Sequence, residues 1–205
     1  MSKPLPQAFY ERDALVVAEE LLGMHIHHGE VVLRITEVEA YRHPGDTANH
    51  CRMGRTKRNA PMWGPGGHAY VYLCYGMHNM LNLVTGRDGE GAAVLIRACE
   101  PVRGHERILE RRASKRLSPV LLTGPGKVGS ALELDTSFSG QPLYRARGGL
   151  SVREGQAPSA IVRGPRVGIG YATPADQAAP WRLAVAGSPW VSARSLLVRS
   201  LLVNE

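Results

Sequence analysis

The chain has 205 residues, 43% of them hydrophobic, enough for one well-buried core and too few for two ordinary domains. No apolar run approaches the roughly 18 residues that a membrane span needs, and residues 1–6 carry no apolar leader core, so neither a membrane span nor secretion is expected and a reducing cytosolic or nuclear setting fits. The net charge of +7 favours a polyanionic partner, although a basic protein without such a partner has the same composition.

Asp13 is placed to cap a helix bearing Leu15, Val16, Ala18, Leu21 and Leu22, with Gly23 just past its end. Residues 24–28 and 31–39 read as two strands around His28-Gly29-Glu30. Period-2 alternation puts Val31, Leu33, Ile35, Glu37 and Glu39 on one face. Glu39 would then close a strand with apolar same-face neighbours, where desolvation raises a carboxyl toward the range that a general base needs. The stretch 42–67, rich in glycine and proline, is irregular, and long loops in compact domains are often functional. It holds His50, and within it residues 52–58 carry four cations and no acid: Arg52, Arg55, Lys57 and Arg58.

Residues 68–75 form a strand with Tyr70 and Tyr72 on one face and Tyr75 at its end. Residues 79–84 and 92–99 are further strands, joined through Gly86-Arg87-Asp88-Gly89; Leu95, Arg97 and Cys99 share a face of the second. A basic amphipathic helix is expected over 103–116. Thr123-Gly124-Pro125-Gly126-Lys127 leads into another that runs through Leu134. The full spacing of a phosphate loop is absent there, so this is either a helix start that holds a phosphate or a plain turn. Short strands follow at 143–147, 161–168 and 182–185. The tail 195–205 repeats Ser-Leu-Leu-Val, as a short packed helix or an oligomer contact.

Three kinds of group lie close together in this order: a carboxylate, a basic stretch and a cluster of rings. They suit an enzyme that draws one base out of DNA and cleaves its sugar bond. Glu39 is the leading candidate for a base that activates water; a structural carboxylate paired with an arginine is the alternative. Tyr41, His50 and Tyr72 are able to sandwich a planar base or simply to pack. Tyr75, ahead of Gly76-Met77, is placed to push into a duplex and fill the gap left by a flipped base. The cysteines Cys51, Cys74 and Cys99 are odd in number and form no Cys-x-x-Cys pair, so each reads as a small buried residue. The cluster His25-Ile26-His27-His28 is the sole support for a metal-dependent nuclease or deaminase.

Several long runs resemble the alkyladenine (3-methyladenine) DNA glycosylases, in order and over nearly the whole chain. They are Glu37-Val38-Glu39-Ala40-Tyr41 with Pro44, Asp46 and His50; Tyr70-Val71-Tyr72-Leu73-Cys74-Tyr75-Gly76-Met77 with Asn82; Val94-Leu95-Ile96-Arg97-Ala98-Cys99-Glu100-Pro101; Gly124-Pro125-Gly126-Lys127; Arg166-Val167-Gly168-Ile169-Gly170; and Gly187-Ser188-Pro189-Trp190-Val191-Ser192. The resemblance implies that Glu39 deprotonates the water attacking C1′, and that Arg97 holds that water and the carboxylate with the Val167 carbonyl. Tyr41, His50 and Tyr72 then line the base pocket, with the His50 backbone reading the base edge. Asn82 crowds the 2-amino group of guanine, and Tyr75 with Met77 enters the duplex. From their charge and placement rather than from the resemblance, Arg52, Arg55, Lys57, Arg58 and Lys127 are expected to hold phosphates. The family works without metal, cofactor or lysine Schiff base, on double-stranded DNA bearing damaged purines. His78 departs from the family pattern, where relatives often carry another aromatic.

The expected architecture is one α+β domain over residues 1–205, a curved, mostly antiparallel sheet flanked by helices. The active site would lie on a basic face, with the helix 103–116 and the loop 52–58 on either side of the flipped nucleotide. A monomer is expected, cytoplasmic at the nucleoid in a bacterium and nuclear in a eukaryote. A non-catalytic nucleic-acid binder of the same fold is the alternative; it would need neither Glu39 nor Arg97.

Overall fold

The computed structural model describes residues 2–145 and 149–199. A single turn, α1 (Gln7–Tyr10), precedes α2 (Ala14–Leu21), which Asp13 caps by accepting the Leu15 N–H at 2.9 Å. β1 (His25–His28) and β2 (Val31–Tyr41) form a hairpin closed by the pair His28 and Val31. After the long loop come β3 (Ala69–Cys74), β4 (His78–Thr85) and β5 (Ala92–Arg103). Then follow α3 (His105–Arg111), α4 (Pro125–Ala131), β6 (Ser151–Arg153), β7 (Ile161–Gly164), α5 (Pro174–Ala178), β8 (Arg182–Val185) and β9 (Val198–Arg199).

Every strand pairing is antiparallel, in the order β3-β4-β5-β2-β8-β7-β9, with β1 and β6 branching from β2. The result is the expected α+β architecture: one curled sheet with few helices. β2 is its spine. One edge pairs with β5 along most of its length; the other pairs with β1 in its first half and with β8 in its second.

The sheet forks at Thr36, and there the pleat slips. The β2–β5 register shifts on both sides of Glu37. Before the slip, Val31, Leu33 and Ile35 point into the core that α2 covers; after it, Val38 and Ala40 do. Glu37 and Glu39 are thereby turned to the opposite face, with Tyr41. Strict alternation therefore fails, and Glu39 does not share a face with Val31, Leu33 and Ile35. The partner strand slips as well: Val94, Ile96 and Cys99 are core, whereas Leu95 and Arg97 face the other way, so Cys99 does not share their face. A bulge of this kind re-aims side chains without ending the strand.

Other expectations shift too. The helix expected over 103–116 is only His105–Arg111, because β5 continues to Arg103, paired with Val32. Gly104, at φ +79°, makes the corner; a Cβ there would lie 2.8 Å from the Glu30 carbonyl oxygen. The next helix stops at Ala131 rather than Leu134. It presses so closely on β4 that a Cβ at Gly129 would meet the Asn79 carbonyl oxygen at 2.0 Å. Close packing thus explains glycine in this helix. No strand forms at 143–145, and 146–147 lie outside the described residues. β7 ends at Gly164, before Pro165. In the tail a 3-10 turn, Arg194–Leu196, leads into β9, and residues 200–205 lie outside the described residues.

Candidate active site

The face that the slip exposes to β5 and the long loop holds a cavity of about 500 Å³, within the range of small-molecule sites. Glu39 lies at its floor. Around it stand Tyr41, His50, Tyr72, Asn82, Leu95, Arg97, Val167 and Tyr171, and Arg58 and Tyr75 are also in the lining. Sequence reasoning named all of these except Tyr171 as site residues, apart from Leu95, which it placed with Arg97. Elements separated by more than a hundred residues thus meet at one carboxylate.

Glu39 is fully buried and its two oxygens are held separately. Oε1 accepts the Val167 N–H at 2.8 Å and sits 3.2 Å from Arg97 Nη1; Oε2 accepts the Tyr41 hydroxyl at 3.0 Å. The backbone N–H of Val167 thus meets the carboxylate directly. Burial pushes the Tyr41 phenol well up, and the Glu39 charge pushes it the same way, so the ring stays a neutral donor.

Three rings shape the space above. His50 and Tyr72 meet edge to face at 4.6 Å between centroids, and Tyr70 stacks behind Tyr72 at 5.5 Å. The His50 Nδ1 lies 3.2 Å from the Tyr70 hydroxyl. Burial pushes the His50 imidazole down to about 4, with Arg58 and Arg52 acting in the same direction. At neutral pH the ring is therefore uncharged and does not repel a cation in the pocket. The His50 carbonyl is occupied, accepting the Asn59 side-chain amide at 2.9 Å. Asn82 is held toward the pocket by donating to the Tyr70 carbonyl at 3.2 Å.

At the rim, Tyr75 and Met77 are 85% and 71% exposed on the β3–β4 turn, against the pattern for large apolar side chains. Tyr75 sits at φ +52°, a conformation that costs a non-glycine residue about 1 kcal/mol or more. Arg52, Arg55, Lys57 and Arg58 are all exposed. Two of them also lie over pocket rings: Arg52 over Tyr171 at 4.9 Å and Arg58 over Tyr72 at 5.4 Å. Lys127 is half-buried on α4, whose Pro125 touches the pocket. Three of the arginines expected on the 103–116 helix have partners within the chain. Arg107 pairs with Glu110, Arg111 with the Ala131 carbonyl, and Arg112 with the Leu121 carbonyl. Cys51 and Cys99 are buried as expected, but Cys74 is half-exposed and lines the pocket. Among the described residues no cluster of His, Cys, Asp and Glu is arranged to hold a metal ion, and the histidines of β1 lie outside the pocket lining.

Sequence reasoning missed the buried ion pairs that hold this site. Arg166 makes a two-pronged pair with Asp46, at 2.6 and 2.8 Å, with both side chains fully buried. Its guanidinium lies 4.7 Å from the Tyr41 ring and 4.8 Å from Trp181, and it donates to the Ala40 carbonyl. Arg182, also fully buried, pairs with Glu37 at 3.0 Å and donates to the Pro165 carbonyl at 2.9 Å. The loop carrying Val167 is thus pinned on both sides. Asp46, Arg166 and Ser192 stood within recognised runs, but nothing local in the sequence pairs them.

A ring-lined pocket, a buried carboxylate beneath it and an exposed aromatic on a cationic rim are the groups needed by the class of enzymes that act on a base taken out of a nucleic acid. The comparisons make the assignment. The family model for methylpurine-DNA glycosylase matches residues 8–189. A Nitrosococcus oceani protein, provisionally named a 3-methyladenine DNA glycosylase, is 60% identical over 96% of this chain and 97% of its own. A DNA-3-methyladenine glycosylase of Arabidopsis thaliana is 57% identical over 93% of this chain and 75% of its own. A further relative, from Methanocella arvoryzae, is 45% identical over 93% of this chain. The chain belongs to the methylpurine-DNA glycosylase family. Among the described residues no helix is long and apolar enough to cross a membrane.

Proposed function

We propose that this chain is a monofunctional DNA glycosylase that removes alkylated and deaminated purines from duplex DNA. The supporting observation is the carboxylate of Glu39, buried at the floor of a ring-lined pocket with one oxygen on Val167 and Arg97 and the other on Tyr41. In this reading a lesion purine lies between Tyr41, His50 and Tyr72, and its C1′ faces Glu39. A water between them loses its proton to Glu39 as its oxygen bonds C1′. The C1′–N bond breaks, and its electron pair leaves with the base.

Alkylation at a ring nitrogen makes the purine cationic, hence a good leaving group that needs little acid assistance. The same charge favours stacking on electron-rich rings. The Glu39 carboxylate also stabilises positive charge developing on the sugar. Among the described residues that line the pocket none is a lysine, which is consistent with water rather than a lysine amine as nucleophile. Tyr75 and Met77 fill the gap in the duplex, Asn82 narrows the pocket against the guanine 2-amino group, and Arg52, Arg55, Lys57 and Arg58 bind phosphates. Lys127 is a further phosphate contact.

The test is single-turnover excision, in EDTA, of hypoxanthine, etheno-adenine and N-methylpurine from duplex oligonucleotides. Strand breaks that need alkali support the reading. The Glu39→Gln variant is expected to bind lesion DNA and lose excision by about 10²- to 10⁴-fold, the usual worth of a proton-transferring side chain. Wild-type rates in that variant would remove Glu39 from its role. Tight binding without excision of any lesion by the unaltered protein would make the chain a non-catalytic binder.

A further inference from the structure

We propose that Glu37 is a positioning residue for the excision reaction: it orients both donors that hold the Glu39 oxygen Oε1. The inference rests on the reading of Glu39 as the base. Glu37 is fully buried and is not among the residues lining the pocket, so it touches no substrate. Yet its carboxylate gathers groups from three elements. Oε1 lies 3.0 Å from Arg182 Nη1, accepts the Ser192 hydroxyl at 3.0 Å and is 3.3 Å from Arg97 Nε; Oε2 accepts the Ser192 N–H at 2.7 Å.

Each donor on the Glu39 Oε1 traces back to this carboxylate. Arg97 is buried at the pocket wall between the two carboxylates. Its Nε edge is fixed by Glu37 and by the Ser192 Oγ at 3.1 Å, and only then does Nη1 fall 3.2 Å from Glu39. The second donor, the Val167 N–H, belongs to a loop that Arg182 holds through the Pro165 carbonyl, while Arg182 itself is anchored on Glu37. Burial pushes the Glu37 carboxyl up, and the Ser192 N–H, Arg97, the Ser192 hydroxyl and Arg182 oppose that. The slip at Thr36 places both carboxylates of the Glu37-Val38-Glu39 run beside one guanidinium.

The test compares Glu37→Gln with Ser192→Ala. Ser192→Ala keeps the buried charge but removes one contact to Glu37 and one to Arg97. Three quantities are measured: the single-turnover rate, the affinity for duplex holding an uncleavable 2′-fluoro lesion nucleotide, and the Arg97 Nε–H signal in ¹⁵N NMR of the DNA-free protein. The expected result is a rate about ten- to a hundredfold lower, as for small misplacement of a reacting group. Affinity should stay within about twofold, and the Arg97 signal should move in both variants.

A rate that falls only as affinity falls, or an Arg97 signal unchanged in Glu37→Gln, would overturn the proposal. If Glu37→Gln does not fold, Ser192→Ala decides on the same three readings. Glu39→Gln is run alongside. Its retained activity would sink the base assignment, and the Arg97 signal, which needs no turnover, would still report on the Glu37 link.

Discussion

Replacing Asp46 by Asn tests how the Val167 loop is held. Both Asp46 oxygens are committed twice. Oδ1 accepts the Ala48 N–H at 2.9 Å and Arg166 Nη2 at 2.8 Å; Oδ2 accepts the Arg42 N–H at 3.2 Å and Arg166 Nη1 at 2.6 Å. An asparagine in either orientation turns an N–H₂ against two donors and leaves Arg166 charged in a fully buried place. Removing one partner of such a pair costs about 3–5 kcal/mol. The Tyr41 and Trp181 faces and the Ala40 carbonyl still receive the guanidinium, which puts the expected loss at the lower end. With a urea m-value of about 2–3 kcal/mol per molar, the midpoint should fall by about 1–1.5 M. Tryptophan fluorescence reports it, since Trp181 lies 4.8 Å from Arg166. The double variant Asp46→Asn/Arg166→Met should recover more than half of the loss, because no unpaired charge is left inside. A midpoint within about 0.3 M of the unaltered protein, or a double variant worse than the single, would refute the reasoning.

Tyr75→Ala should leave stability within about 0.5 kcal/mol, since the ring is exposed, while affinity for lesion duplex falls; an unchanged affinity would remove the wedge role. Replacing Arg55 and Lys57 together by Ala should make the slope of log binding constant against log salt shallower by about 1–2, as read by anisotropy titrations; an unaltered slope would place these cations off the DNA. Burial holds both His27 and His50 down at about 4, so between pH 6.5 and 4 the unfolded chain binds more protons than the folded one. Stability is therefore complete above pH 6.5 and declines as pH falls through that window. His50→Phe should make the decline of Tm with pH shallower, and an identical decline would contradict the neutral ring.

The parts of the fold that depend on neighbours in sequence were legible. Asp13 before an apolar periodic stretch gave α2, and the turn residues at 28–30 and 86–89 gave the hairpin and the link into β5. What was not legible depends on distant partners. Thr36 looks like any strand residue; its slip follows from β2 serving β1 on one half of an edge and β8 on the other. Arg103 read as the first residue of a basic helix because charge pattern cannot show that Val32 holds it in a strand. The ion pairs join residues 120 and 145 positions apart, so Asp46 and Glu37 carried no local sign of their arginines. The pocket residues were legible through resemblance, and their contacts to Glu39 only through the fold.

The pin on Glu37 has a consequence for biosynthesis. The carboxylate is made early, but its partners Arg182 and Ser192 are among the last described residues to leave the ribosome. A nascent chain therefore displays the cationic loop 52–58 and the Tyr75 turn long before the centre between Glu39 and Arg97 is completed. Any product terminated ahead of residue 182 lacks both Arg182 and Ser192, and so leaves the Glu37 carboxylate without the partners that hold it beside Arg97.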